Sequence, residues 1–132
     1  MSSDTPCVLV IGAKETSSTI HSQVTKMGFN AFFCKTLEDG WDQNSLATSF
    51  DIVIYDVPYP SEDFKDIGKI RNHANRNINS VPIIALSVDD HIDTMELVIK
   101  AGADLFTQKM KSSRFLYIEI MSLVRMARRL KE

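Results

Sequence analysis

The stretch "FDIVIYDVPYP", Phe50 to Pro60, decides the architecture. An apolar run ends on Asp56, and Pro58 and Pro60 follow within four residues. A run rich in β-branched residues, with no polar alternation, is the pattern of a strand buried on both faces. Four similar runs lie outward from it: "CVLVIG" (7–12), "NAFFC" (30–34), "VPIIALS" (81–87) and "DLFTQK" (104–109).

Helical spacing fills the intervals. In "ETSSTIHSQVTKMG" Ile20, Val24 and Met27 fall at i, i+4 and i+7; Thr16 or Ser17 can cap the start, and Gly28 can end the helix. "LEDGWDQNSLATS" (37–49) reads as a short helix, and "SEDFKDIGKIRNHA" (61–74) puts Phe64, Ile67 and Ile70 on one face. Asp89 or Asp90 is placed to cap "HIDTMELVIKAGA" (91–103), and the longest helix runs over 113–131. The polar, Asn-rich "RNHANRNINS" (71–80) is expected to be an extended surface loop. Five strands alternating with five helices predict an α/β doubly wound sheet with right-handed crossovers, as one domain over 1–132.

The bulk composition narrows the function classes. At 132 residues, with 44% hydrophobic and 24% charged side chains, the chain is long enough to bury one core without staples. A net charge of -2 makes no electrostatic case for nucleic acid or a membrane surface. No apolar run reaches the roughly 20 residues of a membrane span, and the start lacks a secretory signal, so cytoplasmic residence is expected. Cys7 and Cys34 open and close neighbouring strands, roughly 10 Å or more apart, and are expected to stay reduced. His21, His73 and His91 show no metal-ligand spacing.

Open parallel sheets bind their ligands at the carboxyl ends of the strands. The residues there are Gly12 and Ala13, Cys34, Asp56, Ser87 and Lys109. A carboxylate, a hydroxyl and an ammonium can thus converge at Asp56, Ser87 and Lys109. A carboxylate can attack phosphorus to form an aspartyl phosphate, while hydroxyl and ammonium groups hold the phosphoryl oxygens. Taken alone, Asp56 could start a turn, Ser87 could cap a helix, and Lys109 could be a surface lysine.

Taken together and in order, the three segments resemble the response-regulator receiver domain of two-component signalling over essentially the full chain. "DIVIYDVPYP" is similar to the phosphoacceptor strand, with Asp56 at the acceptor position and Pro60 four residues on. "VPIIALS" resembles the fourth strand, ending in Ser87, and "AGADLFTQK" the fifth, with Lys109 at the lysine and Phe106 at the aromatic switch position. The resemblance implies a flavodoxin-like sheet of order 2-1-3-4-5. It also implies a signalling module rather than an enzyme, partnered by a histidine kinase or phosphotransfer protein.

Departures from the pattern shape the expectations. The acidic pair that holds Mg²⁺ in the family is replaced by Gly12 and Ala13; Met110 stands for the usual proline, and Phe64 is near the place of a loop glycine. No cofactor is therefore expected, and Mg²⁺ should bind weakly, with Glu15 a poor substitute ligand and Lys14 a source of fixed positive charge. Three functions follow: an atypical receiver accepting a phosphoryl group on Asp56, a phosphorylation-independent pseudo-receiver acting through protein contacts, or a flavodoxin-like nucleotide or flavin binder. The third rests on "GAKETSST", a hydroxyl-rich loop before a helix, without GxGxxG or a P-loop.

The last helix carries two apolar stripes. Leu116, Ile120, Leu123, Ala127 and Leu130 are expected to cover the sheet, whereas Tyr117, Ile118, Met121 and Val124 are expected to meet a partner or a second copy. The helix 4–strand 5–helix 5 face is the surface the resemblance implies for signalling contacts. The basic end "RMARRLK" suits a helix C-terminus and needs no nucleic acid.

Overall fold

The computed structural model describes residues 5–36, 50–58, 64–88, 91–109 and 113–131. In chain order these form β1 (Cys7–Ile11), α1 (Lys14–Lys26), β2 (Asn30–Cys34), β3 (Ile52–Asp56) and α2 (Lys65–Arg71). They continue with α3 (Arg76–Asn79), β4 (Ile83–Ser87), α4 (Ile92–Ala101), β5 (Leu105–Gln108) and α5 (Ser113–Lys131). The strands make one parallel sheet of order β2-β1-β3-β4-β5. The expected α/β doubly wound topology is therefore the one observed.

Alternating side chains of each strand feed two separate cores. Val8, Val10, Ile54, Ile84 and Leu86 pack with Ile20 and Val24 of α1 and with Leu116, Ile120 and Val124 of α5. Leu9, Ile11, Val53, Tyr55, Ile83 and Ala85 pack on the other face, against Ile67 and Ile70 of α2 and Val98 of α4. Because both faces are covered, β3 and β4 are buried at every position, which is why their sequences show no alternation.

Two aspartates start strands by the same device. Asp51 donates its N–H to the Cys7 carbonyl (2.9 Å), and its Oδ2 accepts from the Cys7 N–H (2.8 Å). Asp104 repeats this with Ile83, at 2.8 Å in each direction. Both residues thus precede their strands rather than belonging to them, since the carboxylate replaces a ladder carbonyl.

Arg71 ties the lower end of the sheet together. Its guanidinium donates to the carbonyls of Gly102 (2.8 Å), Asn79 (2.9 Å) and Val81 (2.7 Å), and its Nη2 lies 2.8 Å from Asp104 Oδ2. Gly102 ends α4 at φ 127, where an added Cβ would stand 2.6 Å from Arg71 Cγ. Gly102→Ala is therefore expected to cost about 2 kcal/mol, from the positive φ and the clash together. A chemical denaturation midpoint checks this; an unchanged midpoint would contradict it.

Several expectations need correction. The Asn-rich 71–80 stretch is not an extended loop: Asn75 Oδ1 accepts from the Asn77 N–H and caps α3, which buries Ile78. α1 begins at Lys14 after Ala13, so Thr16 and Ser17 fall inside its first turn rather than at the cap. His91, without a side-chain cap bond, holds the N-cap position of α4, while Asp89 and Asp90 lie outside the described residues. The helix expected over 37–49 also lies outside them. Both cysteines are free; Ile11 pairs with Cys34 and Cys7 with Asn30, which puts the two at opposite ends of adjoining strands.

The stripes of α5 are redistributed as well. Val124 is buried in the core at 1% exposure, whereas Leu130 is 85% exposed. Met121 is partly buried against the core, so a charge there would disturb the fold and make a poor probe of association. The spacing of the stripes carries no information on where the sheet ends. A helix of 19 residues spans about 28 Å, but a five-residue strand spans only about 17 Å, so the stripe runs off the sheet. Among the described residues, no helix is long and apolar enough to cross a membrane.

Candidate functional site

The sheet register delivers three side chains to one edge. Asp56 is the last residue of β3, Ser87 the last of β4, and Lys109 follows β5 directly. Asp56 pairs with Leu86 and Ser87 with Gln108, so the tips stand level. Two hydrogen bonds carry the ladders one residue further: the Val57 N–H donates to the Leu86 carbonyl (2.8 Å), and the Lys109 N–H to the Ser87 carbonyl (2.9 Å). The backbone that presents the site is therefore held on both sides.

Lys109 Nζ lies 2.6 Å from Asp56 Oδ1. The Asp56 side chain is only 2% exposed and that of Lys109 is 17% exposed. A buried carboxylate needs a countercharge or hydrogen bonds to stay ionised. Lys109 supplies one, and the pair of charges sums to zero. Ser87 is buried beside it at 1% exposure. The three candidate residues predicted from the sequence are thus brought to one end of the sheet, with Asp56 and Lys109 in direct contact.

Gly12, buried, and Ala13, exposed, occupy the end of β1. The Gly12 N–H donates to the Cys34 carbonyl (3.0 Å), which fixes the loop without offering any carboxylate. The donor set does not fit the Mg²⁺ that the resemblance implies. That ion takes near-octahedral oxygen coordination, usually with one or two carboxylates. Asp56 is the one carboxylate at the described strand tips, and Lys109 already neutralises it. No group of three or more His, Cys, Asp or Glu residues suited to a metal occurs among the described residues. The side chains of Lys14 and Glu15, and residues Pro60 and Met110, lie outside the described set.

Two further positions have clear packing roles. Phe106, opposite Ala85 in the β4–β5 ladder, is partly buried against the core of the α2–α4 face, where its side chain engages by packing. Phe64 is buried at the start of α2, and its ring meets Tyr55 edge-on at 6.4 Å. Phe64 stands near the place where the resemblance leads one to expect a glycine.

Compared by sequence, the chain matches no family model and no curated protein. Solved structures do resemble it. A response-regulator receiver domain from Clostridium thermocellum superposes with a TM-score of 0.76 at 20% identity, covering 95% of this chain and 98% of that one. A response regulator from Thermotoga maritima gives 0.71 at 22% identity over 92% and 98% of the two chains. A chemotaxis response regulator from Vibrio cholerae gives 0.72 at 16% identity over 90% and 98%. Five parallel strands in the order 2-1-3-4-5, flanked by helices and closely superposing on these structures, give this chain the fold of the response-regulator receiver domains.

Proposed function

We propose that the chain is an atypical receiver module of a two-component phosphorelay, with Asp56 as phosphoacceptor. The observation that carries this reading is the buried Asp56–Lys109 ion pair at the strand tips, beside the buried Ser87. In the reaction, an Asp56 carboxylate oxygen forms a bond to phosphorus, and the bond from phosphorus to the donor's leaving atom breaks. The leaving atom takes the electron pair. Lys109 then shifts from the carboxylate to a phosphoryl oxygen, and the Ser87 hydroxyl donates to another. A histidine kinase or phosphotransfer protein is the donor this reading calls for.

The charge balance shapes how such a site behaves. Aspartate carries one negative charge, matched by Lys109, and the aspartyl phosphate that replaces it carries about −1.5 to −2 in all. Without first-strand carboxylates to recruit a divalent cation, the phosphorylated pocket keeps an uncompensated negative charge. Acceptance should therefore be slow and indifferent to Mg²⁺. Titration with beryllofluoride, followed by NMR at the amides of Val57, Ser87 and Lys109, tests the reading. Equal shifts with Mg²⁺ and with a chelator are expected. No shift in either condition would refute the acceptor role.

A second reading has an observation of its own. The resting site is electrically complete, and α4 exposes Ile92 (74%), Leu97 (56%) and Ile99 (45%). A pseudo-receiver that binds partners, or itself, through the α4–β5–α5 face without phosphorylation would use such a surface. Beryllofluoride-independent binding would favour it.

A further inference from the structure

A cavity lies at the far end of the sheet from Asp56. It encloses about 640 Å³ between the short helix α3 and the C-terminal half of α5, below the starts of β4 and β5. Its floor is apolar, formed by Leu123, Met126, Ala127 and Leu130. Its opposite wall carries Arg76, Asn77 and Asn79. Met126 is 50% exposed and Leu130 is 85% exposed. Leu123 reaches the floor from the edge of the core, Met126 and Leu130 extend it outward, and no described element of the chain covers it.

Charge identifies the occupant. From Ser122 to Lys131, α5 holds Arg125, Arg128, Arg129 and Lys131 and no acid. At about 100° per residue, the four floor residues fill a sector roughly 100° wide; Arg129 follows about 60° beyond Met126, whereas Arg125 faces nearly the opposite way. Arg129 is exposed, as is Arg76 across the groove. Asp104 is the one acid on the lining, and its Oδ2 already accepts from Arg71 and from the Ile83 N–H. Arg128 leans away toward Asp51, at 3.7 Å. Among the described residues, the free charges around the apolar floor are thus positive.

We infer that this groove docks an acidic amphipathic helix of another protein. The floor residues recur at i, i+3, i+4 and i+7, the ridge that a second helix packs against, and they extend about 10 Å or two turns. Helix-in-groove recognition uses matching apolar anchors, with flanking charges that set the choice of partner. A second copy of this chain is the poorer occupant, because it would bring the same cations against Arg76 and Arg129. The docking site lies beyond the phosphoacceptor reading and does not depend on it.

A short synthetic helix with leucines along one stripe and glutamates on the flanks serves as the probe; the same helix with lysine flanks is the control. Fluorescence anisotropy with the full chain should show binding of the glutamate helix, about tenfold or more tighter than the lysine helix and weakened by salt. Leu130→Asp and Arg129→Glu should each weaken it about tenfold, with circular dichroism and melting unchanged, since both side chains are exposed. Amide shifts should map to α3 and the end of α5. Equal binding of the two helices, insensitivity to Leu130→Asp, shifts mapping elsewhere, or a dimer in sedimentation that Leu130→Asp abolishes would each overturn the inference.

Discussion

Replacing Lys109 with methionine is expected to destabilise the fold by about 3–5 kcal/mol, the usual cost of removing one partner from a buried ion pair. Methionine keeps an unbranched stem of similar reach, so the loss reports on charge rather than on packing. Asp56, with its side chain 2% exposed, would be left buried without its countercharge. Asp56→Asn should cost less, because the more exposed Lys109 can turn its ammonium toward water. Asp56→Leu combined with Lys109→Met should recover most of the lost stability, since paired apolar replacement of a buried ion pair is often neutral. Urea denaturation of the three variants reads all of this. Equal losses for Lys109→Met and Asp56→Asn, or no recovery in the double variant, would show that the pair does not govern the site.

Arg71→Ala is the second large effect, expected to cost about 3 kcal/mol and to lower the melting temperature by roughly 10 °C. The guanidinium serves three carbonyls and Asp104 at once, and alanine leaves these partly buried acceptors without it. Asp104 would then keep only the Ile83 N–H, so the entry to β5 should loosen along with the α4 terminus. Arg71→Lys should restore little, since one ammonium cannot reach acceptors arranged around a planar fork. Thermal melts of both variants check the claim. A lysine variant as stable as wild type would mean that charge alone, and not the fork, matters here.

The sequence made some of this legible and hid the rest for definable reasons. The strands could be found because burial on both faces leaves an unbroken apolar run, and their last residues followed from where each run stops. Asp56, Ser87 and Lys109 were therefore readable as neighbours before any coordinates. Arg71 was not, because three of its four acceptors are backbone carbonyls up to 31 residues away, and carbonyls have no sequence signature. The roles of Asp51 and Asp104 were hidden likewise, since an aspartate that mimics a ladder carbonyl looks like the first residue of the strand. The Asn-rich segment misled in the opposite direction. Asparagine favours turns, but Asn75 used that tendency to cap a helix that buries Ile78. In α5 the spacing correctly gave Leu116 and Ile120 to the core, yet periodicity alone could not tell that Leu130 stands past the end of the sheet.

The account rests on Asp56 taking a phosphoryl group at a site whose positive charge comes from Lys109. Intact-protein mass spectrometry after incubation with a small phosphoryl donor such as acetyl phosphate measures this most directly, in parallel samples with Mg²⁺ and with a chelator. One added phosphoryl group on the wild-type chain, to the same extent in both samples and absent from Asp56→Asn, is the predicted result. No added group on the wild type in either sample, or an added group that persists in Asp56→Asn, would contradict it.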